Sequence, residues 1–255
     1  MKKKNKKVNA AILIIGNEIL SGRTQDKNTI FITNWLNSKC GISVEEVRII
    51  PDIEKKIVKN IIELSKKFNY VFTTGGIGPT HDDITAKSIS KAFKVKYEYQ
   101  QDAYKILENY YGKKNFNDGR KKMAKLPATS QLIYNPSSAA PGFKIRNVLC
   151  LPGVPSILKS MIENTKRLLQ KGSKTYSETI NVLSVESNIA KILSITQNKF
   201  KKDVSIGSYP FFRLGRVGVS IVFRSSNKKR LKKCLIIIKK ILKERKIRIF
   251  KISRK

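Results

Sequence analysis

The sequence predicts an α/β fold in which helices cover both faces of a mostly parallel sheet, followed by a small α+β domain. Residues 8–73 alternate between apolar runs typical of buried strands and segments with apolar residues at helical spacing. This β-α-β-α-β order is typical of parallel sheets. Near Gly172 the pattern resets to β-α-β-β-α-β, the order of a split βαβ domain. We therefore expect one domain over residues 8–172 and another over 173–255.

Continuous apolar runs in the first domain predict strands, and apolar residues three or four positions apart predict helices. Gly and Pro residues mark where these segments end. In chain order, the sequence predicts a strand over 8–15, a helix over 28–40, a strand over 42–50, a helix from Pro51 through Leu64, a strand over 70–73, a helix through Ala86 and Phe93, a basic helix over 101–126, a loop over 127–142, a strand over 143–151 and a helix through Ile157 and Leu168.

The second domain is predicted by the same two patterns. Its elements are a strand over 179–183, a helix over 187–200, strands around 205–209 and 217–224, a helix carrying Leu231, Leu235, Ile238 and Leu242, and a strand over 247–252. The basic face of the last helix is interpreted as a solvated face opposite a packed one. The aromatic cluster over 208–212 is expected to pack in the core, with stacking on an adenine or flavin ring as the alternative.

The charge of the chain is unusual, with 53 Lys+Arg and 18 Asp+Glu giving a formal net charge of +35 over 255 residues. Such a charge suggests nucleic acid or an anionic membrane as a partner. The lysines are nevertheless scattered, occur with abundant Ile and Asn, and form no recognition motif. We therefore expect no specific nucleic-acid partner and no membrane partner, and only weak, salt-sensitive binding of polyanions.

The three cysteines, Cys40, Cys150 and Cys234, lie far apart in the sequence. This spacing argues against a disulfide framework or a zinc site and predicts buried thiols in a reducing compartment. The Lys-rich start resembles a signal peptide, but the following apolar run stops at Gly16 without a cleavage pattern. A cytoplasmic protein is expected.

The residue types best suited to chemistry follow the predicted parallel strands. Ligands of open parallel sheets bind beyond the carboxyl ends of the strands, so the loops there are expected to converge on one rim. The candidate ligand-binding residues in these loops are Asn17, Glu18, Asp26, Asn28, Gly75, Gly76, Gly78, Pro79, Thr80, Thr85, Gly153 and Pro155, and the candidate carboxylates are Asp52, Asp82 and Asp83.

The glycine-rich segment from Gly75 to Thr80 allows backbone to approach a ligand closely, and the start of the next helix suits a phosphate. The carboxylates of Asp82 and Asp83 are costly beside a phosphate unless a metal ion balances them or they transfer protons. Helix capping is the alternative role for Asp82, Asp83 and Thr85, and equally for Asn28 and Asp52. Glu18 has the alternative role of a helix-start carboxylate.

The run from Thr74 to Thr85 resembles the signature of the molybdopterin-binding MoaB/Mog-type domain, in the form found in the CinA (competence/damage-inducible protein A) family. Residues 16–29 resemble that family's first loop, and residues 151–155 resemble its later Pro-Gly-Val-Pro loop. The resemblance covers residues 8–172. The remaining chain is similar to the small α/β domain that follows in CinA proteins.

The resemblance implies a three-layer α/β/α domain that binds a pterin or a nucleotide through its phosphates. It further implies either molybdopterin adenylylation or metal insertion, or cleavage of ADP-ribose or FAD with a divalent metal ion. The family's functional carboxylates fall on Asp52 and Asp83. Asp82 stands where Mog-type proteins usually have Arg, which favours the CinA form. Relatives commonly self-associate, so a homo-oligomer is expected, and the amidase domain that follows in many CinA proteins is expected to be absent.

These observations predict a metal-dependent nucleotide pyrophosphatase that acts on a small-molecule nucleotide. Asp83 and Asp52 are the predicted catalytic residues, and Asp82 joins them as a ligand of a divalent metal ion of unknown identity. His81 is expected to be exposed and without a role. A molybdopterin-binding protein without hydrolysis is the alternative, and a nucleic-acid-binding accessory protein is a third hypothesis.

Overall fold

A computed structural model describes residues 8–213 and 215–250. Contacts divide the chain into two compact units, the first ending at Ser173 and the second beginning at Lys174. The strands of the first unit are β1 (Asn9–Ile15), β2 (Ser43–Ile50), β3 (Tyr70–Thr74), β4 (Tyr97–Tyr99), β5 (Lys125–Pro127), β6 (Gln131–Ile133), β7 (Gly142–Ile145) and β8 (Val148–Leu151). Its helices are α1 (Asn17–Leu20), α2 (Asn28–Trp35), α3 (Glu54–Lys67), α4 (Thr85–Phe93), α5 (Gln101–Tyr111), α6 (Asp118–Lys122) and α7 (Pro155–Thr165).

Six strands form the main sheet of the first unit, in the order β2-β1-β3-β8-β7-β6. Strands β2, β1, β3 and β8 are parallel, whereas β7 and β6 run antiparallel at one edge. Strands β4 and β5 pair separately. The predicted α/β class with a mostly parallel sheet is confirmed.

The two faces of strand β1 show how the three layers are built. Because successive side chains of a strand point to opposite faces, Leu13 and Ile15 pack in one buried cluster with residues of α3, α4 and α5. Ile12 and Ile14 pack in a second cluster with residues of α2 and α7. All four side chains are at most 3% exposed, so the sheet is covered on both faces.

Three predicted elements of the first unit are wrong. The basic helix over 101–126 ends at Gly112, whose φ of 73° breaks the helix, and its last residues belong to β5. The loop over 127–142 contains strand β6. The single strand over 143–151 is a hairpin of β7 and β8, in which Arg146 turns the chain with a φ of 51°.

The second unit has the predicted β-α-β-β-α-β order. Its elements are β9 (Tyr176–Val182), α8 (Glu186–Phe200), β10 (Ser205–Arg213), β11 (Arg216–Ser225), α9 (Lys228–Glu244) and β12 (Ile249–Phe250). They form an antiparallel sheet in the order β10-β11-β9-β12. The predicted last strand begins at Ile249 and not at Ile247, and residues 251 and 252 lie outside the described residues.

Helix α9 packs against this sheet with one face, as predicted. Leu231, Cys234, Ile238 and Leu242 are buried in a core that includes residues of α8 and of the sheet. Among residues 8–213 and 215–250, no helix combines the length and the apolar character needed to span a membrane.

The aromatic cluster of the second unit departs from the prediction. Tyr209 is 49% exposed and Phe212 is 75% exposed, so neither side chain packs in the core. Both lie on β10, the edge strand of the sheet.

The three cysteines are free and buried, as predicted. Burial raises the pKa of the Cys40 and Cys234 thiols to about 11 and that of Cys150 to about 12. These thiols are therefore protonated at neutral pH.

Candidate functional site

Four loops meet beyond the carboxyl ends of strands β1, β2, β3 and β8, and we call their meeting place the rim (residues 16–28, 51–53, 75–84 and 152–154). Gly16 N donates to Ile50 O at 3.1 Å, and Gly75 N donates to Leu151 O at 3.2 Å. The loops expected to converge therefore do so, because parallel strands bring their carboxyl ends to one edge.

Asp52 connects two of these loops. Its Oδ2 accepts a hydrogen bond from Asn17 N at 2.8 Å. A Cβ atom on Gly76 would lie 3.6 Å from Asp52 Oδ1, so the carboxylate also borders the glycine-rich loop. Helix α3 begins after Ile53 with no side-chain cap. The capping role considered for Asp52 is therefore wrong.

The pKa of Asp52 is raised, mainly by burial and further by the negative charges of Glu18 and Asp82, whereas the hydrogen bond from Asn17 N opposes the shift. Glu18 lies in the first turn of α1, and its carboxylate folds back so closely that a Cβ atom on Gly16 would lie 2.6 Å from Oε1. The structure thus places the carboxylates of Glu18 and Asp82 near enough to Asp52 for their charges to raise its pKa.

Asp83 holds the glycine-rich loop in shape. Its Oδ2 accepts hydrogen bonds from Thr80 N at 2.8 Å and Thr80 Oγ1 at 2.5 Å. A Cβ atom on Gly78 would lie 2.7 Å from the same oxygen. Helix α4 begins after Ile84 with no side-chain cap, so the capping alternative for Asp82, Asp83 and Thr85 is wrong. The catalytic role of Asp83 stays a prediction.

Asp82 differs from its neighbour in environment. Its side chain is exposed, and its pKa is lowered first by the Thr80 hydroxyl and its own backbone N–H, and then by the charges of His81 and Lys122. His81 is exposed, as expected. Asp82 and Asp52 therefore have pKa values shifted in opposite directions, which is a common arrangement at functional sites.

Close packing explains two of the rim glycines. Gly75 has a φ of +100°, and a Cβ atom there would lie 2.0 Å from Ile15 O. Gly153 packs against it, because a Cβ atom on Gly153 would lie 3.4 Å from Gly75 Cα. These glycines let the loops approach one another, in addition to any approach to a ligand.

Thr85, the first residue of α4, is fully buried, and its Oγ1 has no hydrogen-bond partner among the described residues. The hydroxyl lies against Gly76, where a Cβ atom would be 2.2 Å away. Buried polar atoms in native proteins are nearly always paired with protein, a ligand or water. At the start of α4, Thr85 N donates to Gly76 O at 2.9 Å, whereas the Thr85 hydroxyl is unpaired beside the glycine-rich loop.

Two further candidate residues fasten the first loop. Asp26 Oδ1 accepts hydrogen bonds from Asn28 N at 2.9 Å and Thr29 N at 3.2 Å, so Asp26, not Asn28, satisfies the first turn of α2. Asn28 is buried, and its Nδ2 donates to Gly153 O at 2.7 Å. Pro79 and Thr80 are exposed, and Pro155 begins α7, a favoured position for proline.

The rim carboxylates do not form a metal-binding cluster by themselves. In the part of the chain that the structure describes, no three His, Cys, Asp or Glu side chains are close enough to hold an ion. Carboxylate oxygens nevertheless suit Mg²⁺, which commonly takes one or two carboxylates and completes its shell with substrate phosphates and water. The metal-ligand role predicted for Asp52, Asp82 and Asp83 stays a prediction.

Sequence reasoning missed the basic side of this site. A shallow, open cleft beside the glycine-rich loop is lined by Tyr97, Lys122 and Lys125 as well as by Gly76 and Asp83. Lys122 Nζ donates to Thr80 O. The sequence pattern predicted Lys122 and Lys125 on a long helix and assigned Tyr97 to no element. The pairing of β4 with β5 brings Tyr97 and Lys125 onto neighbouring strands.

Comparison with known families gives two matches. Residues 11–171 match the family model described as probable molybdopterin binding domain. Residues 174–251 match the model described as FAD synthase, middle domain. The first match covers the unit that carries the rim, and the second covers the small antiparallel unit.

Two similar proteins align with residues of both units, and a similar crystal structure covers a smaller share of the chain. A protein of Archaeoglobus fulgidus is 32% identical over 235 residues, which cover 92% of this chain and 98% of that protein. A probable FAD synthase of Caenorhabditis elegans is 30% identical over 226 residues, which cover 79% of this chain and 43% of that protein. A crystal structure of the protein CinA, of unknown function, from Thermoplasma acidophilum is 31% identical with a TM-score of 0.59, covering 63% of this chain and 97% of that one.

Proposed function

This chain belongs to the CinA-like family of probable molybdopterin binding domains, and from that premise we propose that it hydrolyses the diphosphate bond of a dinucleotide such as ADP-ribose or FAD with a divalent metal ion. The observation that carries this proposal is the grouping of Glu18, Asp52 and Asp82 beside a glycine-rich loop. Carboxylates next to a phosphate site repel the ligand unless a cation lies between them.

The charge balance at the rim supports the requirement for a cation. The chain carries 53 Lys+Arg, yet among its described residues no Lys or Arg forms an ion pair with Glu18, Asp52 or Asp82. Burial and neighbouring negative charge raise the pKa of Asp52, so its ionised form is poorly compensated. A divalent cation held by Asp82 together with the diphosphate oxygens would neutralise diphosphate charge and make a water molecule more acidic.

The glycine-rich loop and the start of α4 support phosphate binding. Backbone N–H groups at a helix start donate to phosphate oxygens, and the helix dipole favours the negative charge. The unpaired Thr85 hydroxyl lies on the same side of the loop, against Gly76. Lys122 and Lys125 line the neighbouring cleft and add positive charge for a second phosphate.

Asp52 is suited to accept the proton of the attacking water. A raised pKa brings a carboxylate closer to the pKa range of a general base at neutral pH, and the hydrogen bond from Asn17 N fixes the side chain in place. In the proposed reaction, the water oxygen bonds to one phosphorus, the bridging P–O bond breaks, and the two monophosphates leave. Asp83 would act by holding the loop through Thr80.

The choice of a dinucleotide substrate rests on the second unit as well as the first. Its family model and the C. elegans relative are both named for FAD synthase, an enzyme whose product contains a diphosphate. This chain spans less than half of that relative. Both the residues of the rim and the names of the relatives therefore favour a substrate that contains a diphosphate.

The test is release of AMP from ADP-ribose and from FAD by the purified full chain, with Mg²⁺, Mn²⁺ or a chelator. We expect turnover that requires a divalent ion and falls about 100-fold or more in Asp52→Asn, because a general base contributes about 10² to 10⁴ in rate. Asp118→Asn is the matched control, since Asp118 is 99% exposed on α6 and the same charge is removed.

The outcomes separate the two hypotheses for this family. Turnover that depends on metal and on Asp52 supports the pyrophosphatase. Binding of a pterin or nucleotide in calorimetry without any AMP release would contradict it and favour the carrier alternative.

A further inference from the structure

We propose that the second unit binds single-stranded nucleic acid on the uncovered face of its sheet, with bases stacked on Tyr209 and Phe211. Val219, Ile221 and Phe223 point from β11 into the core beneath α8 and α9. Residues that alternate with them point to the other side of the sheet. We call that side the open face and define it by Tyr209, Phe211, Val222, Arg224 and Phe250.

The register of the sheet places these side chains together. Tyr209 pairs with Ser220 and Phe211 with Gly218, and both Ser220 and Phe250 pair with Asn181 of β9. The ring centroids of Phe211 and Phe250 lie 5.9 Å apart. Aromatic rings from β10 and β12 therefore meet across the open face.

The rings of Tyr209 and Phe211 lie against glycine backbone. A Cβ atom on Gly207 would be 3.2 to 3.4 Å from three atoms of the Tyr209 side chain, so the ring lies against this residue. A Cβ atom on Gly218 would be 2.4 Å from Cζ of Phe211. Because glycine has no side chain, Gly207 and Gly218 leave room for these two rings on the open face. Tyr209 remains 49% exposed.

Flat groups that stack on such rings include every nucleobase. Aromatic side chains on open four-stranded sheets stack two or three bases of single-stranded RNA in other domains. Tyr209 and Phe211 are two residues apart on one strand, which separates them by about 6.6 Å. This arrangement offers positions for successive bases without selecting their identity, because each base has a stacking face.

Charge favours a polyanion over a neutral ring compound. Residues 174–255 contain 22 Lys+Arg and four Asp+Glu. Glu178 pairs with Phe223 and thus points to the core side of the sheet, and Glu186 and Glu244 lie on helices. Asp203 precedes β10 and forms an ion pair with Arg230 of α9. Over the described part of the open face there is no carboxylate, whereas Arg224 is exposed on it.

Nucleic acid binding here is independent of the proposed hydrolysis, since the rim residues belong to the first unit. The expected binding is tolerant of sequence, and its affinity falls with salt. A base-paired duplex keeps its bases stacked inside the helix, so it can use only the charge of this surface.

The experiment measures fluorescence anisotropy of labelled single-stranded DNA and RNA of about 20 nucleotides with the full chain, at about 150 mM salt. Stacking on one ring predicts that Tyr209→Ser lowers affinity about 5-fold to 100-fold, whereas Tyr209→Phe retains it. Phe212→Ser is the matched control, because Phe212 is 75% exposed and points to the opposite side of β10. A duplex of equal length is expected to bind without sensitivity to Tyr209→Ser.

A second pair of variants leaves the rings in place, in case Tyr209→Ser unfolds the unit. Val222→Glu adds a carboxylate to the open face and is expected to lower affinity for the single strands, whereas Val222→Lys retains or raises it. Equal affinities for the wild type, Tyr209→Ser and Val222→Glu would overturn the proposal. An equal loss in Tyr209→Ser and Phe212→Ser would overturn it too.

Discussion

At Gly75 the backbone conformation and the neighbouring strand both exclude a side chain. Its φ of +100° lies in the region that favours glycine, and Ile15 O occupies the place where a Cβ atom would go, 2.0 Å away. Because residue 75 has no side chain, the glycine-rich loop can lie this close to the end of β1. A glycine that a motif search assigns to phosphate binding thus has a packing role as well.

We predict that Gly75→Ala destabilises the first unit by about 3 kcal/mol or more, because overpacking adds to the strain of a positive φ. Gly22→Ala is the matched control. Gly22 has a φ of +72° with nothing within 4 Å of its Cβ position, so its substitution should cost only about 1 to 2 kcal/mol. Urea unfolding of both variants measures the difference, and equal losses would contradict the packing argument.

Asp52 predicts a dependence of stability on pH. Because its pKa is raised in the folded chain, the carboxyl group favours folding at low pH, and this contribution is lost as the pH rises through the folded-state pKa. Asp52→Asn does not titrate. The variant is expected to be more stable than wild type at pH 7 and to lose this advantage below the unfolded value of about 3.9.

The measurement for Asp52→Asn is urea unfolding at pH 7 and near pH 3. Asp118→Asn, which removes a charge that is 99% exposed, should show little change at either pH. A variant less stable than wild type at pH 7 would mean that the hydrogen bond from Asn17 N outweighs burial and charge.

Strand β2 is the element through which a second copy is expected to bind. It lies at the edge of the main sheet, and Val47 and Ile49, both 42% exposed, project from the same side. Exposed apolar side chains on an edge strand favour association. We predict a homo-oligomer that the double substitution Val47→Lys and Ile49→Lys converts to a monomer, measured by sedimentation. Wild-type chain that is already monomeric at high concentration would refute this.

Elements in which apolar residues recur with a clear period were predictable from the sequence. Short strands that form only by pairing with another strand were not. The local sequence alone predicts the buried strands β1 and β3. It also predicts the helices that have an apolar stripe. Strands β4, β5 and β6 have three residues each, and their extended shape depends on partners elsewhere in the chain. The hairpin of β7 and β8 turns at Arg146, a residue type that gives no turn signal.

The candidate site was predictable in location but not in detail. Strand order alone places the loops at one rim. Which carboxylate turns toward which neighbour depends on distances that a motif does not encode: Asp83 turns to Thr80, whereas Asp52 turns to Asn17. The roles assigned to both carboxylates stay predictions until turnover is measured.

The whole chain contains separate cores in its two units. Two buried clusters cover the faces of the main sheet, and a third lies entirely within residues 180–242. We predict that residues 174–255, produced alone, unfold cooperatively in circular dichroism, since this unit has its own closed set of core contacts. A fragment without a sharp transition would show that the first unit is needed for its stability.

The three buried thiols can report how often each unit of the chain opens, because they react with alkylating reagents only when they are exposed. Iodoacetamide reacts with a thiolate. All three thiols are buried and protonated, with Cys40 and Cys150 in the first unit and Cys234 in the second. Alkylation therefore proceeds only as fast as each unit exposes its cysteine. Mass spectrometry of the two halves after timed labelling would yield two opening rates from one unmodified protein, without a fluorophore or an engineered residue.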